Sequence, residues 1–190
     1  CIGKMALCFP DTYEIGMSHL GFKILYDEIN QHEGILAERC FCPWIDMEKE
    51  MRSRNLPLVT LESFSPLKNF DVLGFSLQYE MSYSNILNML DLGGVPVWQK
   101  DRKEEDPFVT CGGPCATHPE PLAPFMDFVV VGDGEKLASR IVHFIGEARV
   151  QGWKRVKILE HLATWKGIYV PSFYETAICE KTELEYVVGP

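Results

Sequence analysis

The chain has 190 residues, of which 46% are hydrophobic, and its formal net charge is −9 at pH 7. This length and apolar content allow one domain with a proper core and exclude a disordered chain. No apolar run reaches the roughly 18 residues of a membrane-spanning helix, so we do not expect a membrane as partner. A surface with this much negative charge repels phosphate backbones, so we do not expect nucleic acid as partner either.

The seven cysteines are odd in number and do not form the regular pattern of a disulfide framework. The sequence shows no pattern of a secretory signal peptide, so we expect none. Reduced thiols and the lack of such a signal indicate a cytoplasmic protein. Because the chain does not begin with Met and stops shortly after a strand-like segment, we expect it to be a piece of a longer protein.

Strand-like and helical patterns alternate from the beginning of the chain. In chain order, they predict a strand over 5–9, a helix over 18–30, a strand over 35–41, a helix over 46–54 and a strand over 71–77. A helix over 84–92, a strand over 108–111, an entirely apolar strand over 128–131 and a helix over 135–147 follow. The pattern then changes to one more helix near 156–163 and an extended segment with a proline.

This alternation predicts an α/β fold with a doubly wound, five-stranded parallel sheet and helices on both faces. We expect an α/β domain over residues 1–150, and a C-terminal extension with a helix and an extended segment over residues 151–190. In such a sheet, the loops that follow the strands share one edge, where ligands bind.

Four loops at this edge, the rim, have an unusual composition. They read D-T-Y-E-I-G-M-S from Asp11, Q-Y-E-M-S-Y from Gln78, C-G-G-P-C from Cys111 and G-D-G-E from Gly132. Glycine allows the backbone to approach a ligand closely, although a glycine after a strand usually marks only a turn. Together the loops predict a ligand groove. Its candidate residues are Asp11, Thr12, Tyr13, Gly16, Ser18, Ser76, Gln78, Gly112, Gly113, Pro114, Gly132, Gly134 and Glu135.

The order and spacing of these loops resemble the flavodoxin-like cobalamin-binding domain found at the amino end of radical S-adenosylmethionine (SAM) proteins. The matching elements are D-x-(ring)-x-x-G, G-G-P, V-V-G-D-G-E and the segment L-A-T-W-K-G-I-Y-V-P-S-F-Y that begins at Leu162. The resemblance implies a module that holds a corrinoid for radical-based modification. It also implies that a [4Fe-4S] cluster and SAM belong to a C-terminal radical SAM domain, the partner of this module.

The sequence departs from that family at one position. Base-off cobalamin proteins carry D-x-H-x-x-G, whose histidine ligates cobalt, and Tyr13 stands at the histidine position here. A phenol is a poor metal ligand at neutral pH because its pKa is about 10. We therefore expect cobalamin without a histidine lower ligand. The alternative is a scaffold or substrate-docking domain that has lost the cofactor, with Tyr13 and Met17 folded over the groove.

Other chemistries have weaker support in the sequence. Cys111 and Cys115 have the first spacing of an iron–sulfur motif, but His118 occupies the third position, and the G-G-P turn explains the glycines without a metal. His19 is a further candidate cobalt ligand, but it lies where a surface or helix-capping role is expected. A flavin site is a third alternative because of the related topology. We expect no metal ligand and no catalytic residue within this piece.

Overall fold

The structure is a computed structural model that describes residues 1–179 and 181–189. A six-stranded sheet forms its centre, with strand order β2-β1-β3-β4-β5-β6. The strands are β1 (Gly3–Phe9), β2 (Ile35–Phe41), β3 (Val72–Ser76), β4 (Phe108–Gly112), β5 (Phe128–Val130) and β6 (Ile168–Tyr169). The first five run parallel, which confirms the predicted fold class.

The sixth strand was not predicted. β6 pairs antiparallel with β5, through Val129 with Tyr169 and Val130 with Ile168. It comes from the segment that the sequence predicted only as extended. Two residues are too few to show a hydrophobic period in the sequence. β6 is therefore recognised as a strand only by its pairing with β5. A separate antiparallel pair, β7 (Glu175–Ile178) and β8 (Glu185–Val188), lies outside this sheet.

The helices cover both faces of the sheet, as a doubly wound fold requires. They are α1 (Tyr13–Ser18), α2 (Leu20–Asn30), α3 (Ile45–Ser53), α4 (Tyr83–Leu92), α5 (Glu135–Val150) and α6 (Arg155–Ala163). Residues of α3 and α4 pack into one hydrophobic core with Ala6, Leu73 and Val109 of the sheet. Residues of α2, α5 and α6 pack into a second core on the opposite face. Of the described helices, none is long and apolar enough to cross a membrane.

The predicted helix over 18–30 corresponds to α2, which begins two residues later, and the short helix α1 before it was not predicted. Backbone torsions at His19 (φ −78°, ψ 114°) are extended, so α1 ends at Ser18 and α2 begins at Leu20. The His19 side chain accepts a hydrogen bond from the backbone N–H of Phe22 at 3.2 Å. This bond satisfies one of the free N–H groups at the start of α2. Histidine is an uncommon N-cap, which explains why the sequence pattern did not show the break.

The C-terminal extension contributes to the same body. Ile158, Leu159 and Leu162 of α6 are buried in the core of α2 and α5. At the amino-terminal end of the sheet, Arg155 of α6 and Arg102 contact the fully buried carboxylate of Asp127 at 2.7 Å and 2.9 Å. Burial lowers the pKa of Arg102, and this ion pair keeps the guanidinium charged. The domain boundary at residue 150 stays a prediction.

The backbone of α5 lies directly against the first strand at Gly146. A Cβ added there would overlap the carbonyl oxygen of Ile2 and stand 2.8 Å from the Cα of Gly3. Because both neighbours are backbone atoms, no side-chain movement relieves the overlap. Glycine at this position therefore sets the distance between α5 and β1.

We predict that Gly146→Ala destabilises the protein by about 1–3 kcal/mol, because overpacking outweighs the helix propensity of alanine. Chemical denaturation with Gly189→Ala as the control measures this, since a Cβ at Gly189 meets no atom within 4 Å. An increase in stability by about 0.5–1 kcal/mol, the effect of propensity alone, would contradict the close contact.

Candidate functional site

The predicted loops do meet at one edge of the sheet. In the parallel register, Cys8 lies beside Phe75, Ser76 lies beside Gly112, and Gly112 lies beside Val130. The strands β1, β3, β4 and β5 therefore end at nearly the same level. β2 lies on one side of β1 in the sheet, and β3, the next strand in the chain, lies on the other side. The switch point of the fold, where ligands bind in doubly wound sheets, thus lies between β1 and β3.

A cavity of about 490 Å³ opens beside this switch point, between the sheet and the helices α2 and α5. Its floor consists of small side chains at alternate positions of two neighbouring strands: Gly74 and Ser76 on β3, and Thr110 and Gly112 on β4. On the opposite face of these strands, Leu73, Phe75 and Val109 fill the core of α3 and α4. The same strands are therefore tightly packed on one face and hollow on the other.

The G-G-P turn brings the end of β4 against the end of β3. Gly113 has φ +119°, and a Cβ there would lie 2.5 Å from the carbonyl oxygen of Leu77. The backbone N–H of Leu77 donates to the carbonyl of Gly112 at 2.7 Å. Any side chain at Gly113 would separate the two loops, so this glycine is needed for the shape of the cavity mouth.

The structure divides the predicted site residues into two groups. The first group lines the cavity and consists of Ser76, Gln78, Gly112, Gly113, Pro114, Gly132, Gly134 and Glu135. The second group does not line it and consists of Asp11, Thr12, Tyr13, Gly16 and Ser18. The second group contains all the site residues that were predicted in the loop after β1. This loop lies beside the cavity rather than in it.

Asp11 forms a hydrogen bond across the switch point. Its Oδ2 atom accepts from the hydroxyl of Tyr79 at 2.7 Å, and Tyr79 lies in the loop after β3. This hydrogen bond, together with burial, raises the pKa of Tyr79, so the phenol remains a proton donor. The sequence predicted Asp11 as a site residue but did not identify Tyr79 as its partner, because the two are 68 positions apart.

Tyr13 faces a different depression. Its ring packs edge-on against Phe41, with centroids 5.4 Å apart. With Thr12 it lines a groove of about 1000 Å³ whose other walls come from α3 and the loop before β3. Gly16 is buried against Phe9 and Phe41, and the hydroxyl of Ser18 donates to the carbonyl of Ile15. These two residues therefore shape the loop.

His19 lines the cavity while capping α2. Its Nδ1 atom accepts from the N–H of Phe22, so in the neutral ring the proton is on Nε2. A protonated Nε2 donates hydrogen bonds and does not ligate a metal. The capping role expected for His19 is thus observed, and the geometry of the cap opposes cobalt ligation.

Sequence reasoning missed the lower part of the cavity. Gly74 and Thr110 form its floor, and Phe22, Leu25 and Ile141 form walls from α2 and α5. A signal was present in the sequence, since Gly74 and Ser76 alternate with large residues in β3, and Thr110 and Gly112 occupy alternate positions of β4. An alternation of this kind predicts a hollow face only when the two strands are known to be neighbours, and that information comes from the pairing.

The Cys111–Cys115–His118 segment has the structure of a turn. Cys111 lies in the core of α3 and α4, where burial raises the pKa of its thiol to about 12. The thiol of Cys115 contacts the carbonyl of Gln78 at 3.3 Å. Cysteine binds a metal as the thiolate, and among the described residues no group of three or more His, Cys, Asp or Glu side chains is placed to hold a metal ion.

Comparison with protein families gives a match over most of the chain. The profile of the family described as "Radical SAM proteins, N-terminal" matches residues 21–171. An uncharacterised protein of Methanocaldococcus jannaschii is 26% identical over 137 residues, which are 70% of this chain and 24% of that protein. The chain therefore spans about a quarter of the length of that relative.

Two solved structures share the fold. Both are of the radical SAM methyltransferase TsrM from Kitasatospora setae, one with cobalamin and a [4Fe-4S] cluster bound and one with tryptophan substrate and a SAM analogue bound. The first has a TM-score of 0.52 at 14% identity and covers 98% of this chain and 29% of TsrM. The second has a TM-score of 0.50 at 15% identity and covers 94% and 29%. The shared fold is that of one part of a larger protein.

We predict that thiol reactivity follows burial, because a disulfide reagent cannot reach a thiol that is enclosed in the core. The buried thiols belong to Cys8, Cys40, Cys42 and Cys111. We expect a chromogenic disulfide reagent at pH 8 to modify Cys1, Cys115 and Cys179 in the native protein and the buried group only after addition of guanidinium. Rapid native modification of Cys111, located by peptide mass spectrometry, would contradict its placement in the core.

Proposed function

The chain belongs to the family of N-terminal domains of radical SAM proteins, and we propose that it is a corrinoid-binding module that serves a radical SAM domain elsewhere in the same protein. We further propose that this domain holds the [4Fe-4S] cluster and SAM, and that the intact protein is an enzyme for radical-based modification in the cytoplasm. A bound corrinoid would supply cobalt-centred methyl-transfer or radical chemistry, which the protein alone cannot perform.

The cavity beside the switch point is the observation that carries this proposal. Its volume of about 490 Å³ is within the range of about 300–1,000 Å³ that ligand pockets have. It is mostly apolar, and its walls come from Phe22, Leu25 and Ile141. These properties suit a flat aromatic base with a sugar, the nucleotide tail of a corrinoid. The macrocycle itself would remain outside, over the rim loops.

The polar groups at the cavity mouth suit a largely neutral ligand that is rich in amides. Asp133 and Glu135 line the mouth and offer carboxylate acceptors, and the corrin ring carries amide side chains that donate. His19 offers Nε2–H as a donor on the opposite wall. Gly132, whose added Cβ would meet no atom within 4 Å, leaves open space between them. These residues would orient the ligand at the mouth.

The chain supplies no histidine to the lower face of the macrocycle within this loop. Tyr13 occupies the position of the usual ligand but packs on Phe41, and the Nδ1 atom of His19 is engaged in capping. Asp11, the usual partner of the missing histidine, accepts from Tyr79 instead. We infer that this pair fixes the spacing of the two rim loops on which the macrocycle would lie.

The scaffold alternative predicts a groove that the chain fills with its own side chains. Tyr13 and Met17 are the residues it would use, but neither lines the cavity. The sulfur atom of Met17 instead lies 3.4 Å from a guanidinium nitrogen of Arg39. An open cavity at this position favours a cofactor site.

Ser76→Leu tests the proposal by placing a large side chain on the cavity floor. We expect it to weaken cobalamin binding at least about tenfold, equivalent to roughly 1.4 kcal/mol, because the added side chain occupies the space of the nucleotide tail. The measurement is retention of hydroxocobalamin after desalting, read from the visible spectrum, followed by titration. Ser84→Leu makes the same chemical change at an exposed position of α4 and is the matched control.

The assay also tests the competing functions. We expect wild-type protein and Ser84→Leu to retain corrinoid, with and without reductant. Colourless wild-type protein under both conditions would overturn the proposal in favour of the scaffold. Retention of flavin but not of corrinoid would overturn it in favour of the flavin site.

A further inference from the structure

Thr110 has a buried hydroxyl group without a hydrogen-bond partner. Its side chain is 3% exposed, and Oγ1 contacts no donor or acceptor in the described part of the chain. Other buried hydroxyls in the described part of the chain have partners, since Thr60 donates to Glu38 and Ser82 donates to the carbonyl of Tyr79. The hydroxyl of Ser76, nearer the mouth of the cavity, is not among these pairs. Buried polar groups are nearly always satisfied in native proteins, so an unpaired one requires an explanation.

The position of Thr110 supplies the explanation. It lies on the cavity floor, beside Gly74 on one strand and Phe128 on the other. Gly112 follows two residues later and is closer to the mouth of the cavity. Thr110 therefore lies about 7 Å deeper along the strand. Rotation about its Cα–Cβ bond exchanges the hydroxyl and methyl positions between staggered rotamers. The Thr110 hydroxyl is enclosed in the observed rotamer, and this rotation can turn it towards a ligand that reaches the bottom of the cavity.

We propose that Thr110 selects among corrinoids by their lower base, favouring a base that carries a hydroxyl or amino group on its far edge. This inference rests on the proposed function, in which the nucleotide tail enters the cavity. Cobalamin carries dimethylbenzimidazole, whose far edge presents two methyl groups and leaves the Thr110 hydroxyl unpaired. A base with a polar far edge pairs with that hydroxyl and removes the unsatisfied group.

The surroundings of Thr110 favour a neutral polar group over a charged one. The neighbouring walls are Phe22, Val130 and Ile141, and no Lys or Arg is among the residues that line the cavity. A charged group would lose its hydration there without an opposite charge. Hydroxybenzimidazole and aminopurine are neutral bases of the required class.

The test compares three ligands on the wild-type protein and on Thr110→Val, which keeps the side-chain shape and removes the hydroxyl. The ligands are cobalamin, the cobamide with 5-hydroxybenzimidazole, and cobinamide, which lacks the nucleotide. Dissociation constants from visible-absorbance titration are the readout. We expect wild-type protein to bind the hydroxybenzimidazole cobamide about tenfold more tightly than cobalamin, the effect of one satisfied buried hydrogen bond. Thr110→Val should lose this preference.

The outcomes separate this inference from the proposed function. If both cobamides bind equally well and more tightly than cobinamide, and Thr110→Val changes nothing, only the role of Thr110 is overturned. If cobinamide binds as tightly as the cobamides, or nothing binds, the tail-in-cavity proposal also fails. Thr110→Ser retains the hydroxyl and should retain the preference, and circular dichroism checks that each variant folds.

Discussion

On one face of β3 and β4, the positions nearest the rim carry glycine, serine, threonine and glycine, and these side chains are too small to fill the space below α2 and α5. The backbone of α5 already contacts the start of β1 at Gly146, in the half of the helix away from the cavity. A hollow of about 490 Å³ lies above the small side chains of β3 and β4. Proteins commonly retain imperfect packing where a ligand must fit, at some expense of stability.

The opposite face of the same strands shows what the sheet does without this constraint. Leu73, Phe75 and Val109 are buried there in the core that α3 and α4 form with the sheet. The difference between the two faces therefore comes from residue size at alternate positions and not from a difference in backbone. The cavity also lies beside the switch point between β1 and β3, where doubly wound sheets bind their ligands. Position and shape together support the proposed site.

The sequence was sufficient to predict the five parallel strands and the rim loops, because buried strands and amphipathic helices have strong periodic patterns. It was insufficient where structure depends on pairing between distant segments. The short strand β6, the Asp11–Tyr79 hydrogen bond and the unpaired Thr110 belong to this class. The resemblance to cobalamin-binding domains directed attention to Tyr13, yet the structure places this ring in a neighbouring groove. Local motifs identify candidate residues, but only their packing shows which of them share a cavity.

A crystal structure of the protein with a bound cobamide tests the central claim most directly. The account predicts electron density for the lower base between α2 and α5, above Gly74 and Thr110, with the macrocycle over the rim loops. Density for the corrinoid elsewhere on the surface, or a cavity occupied by the chain's own side chains, would contradict it.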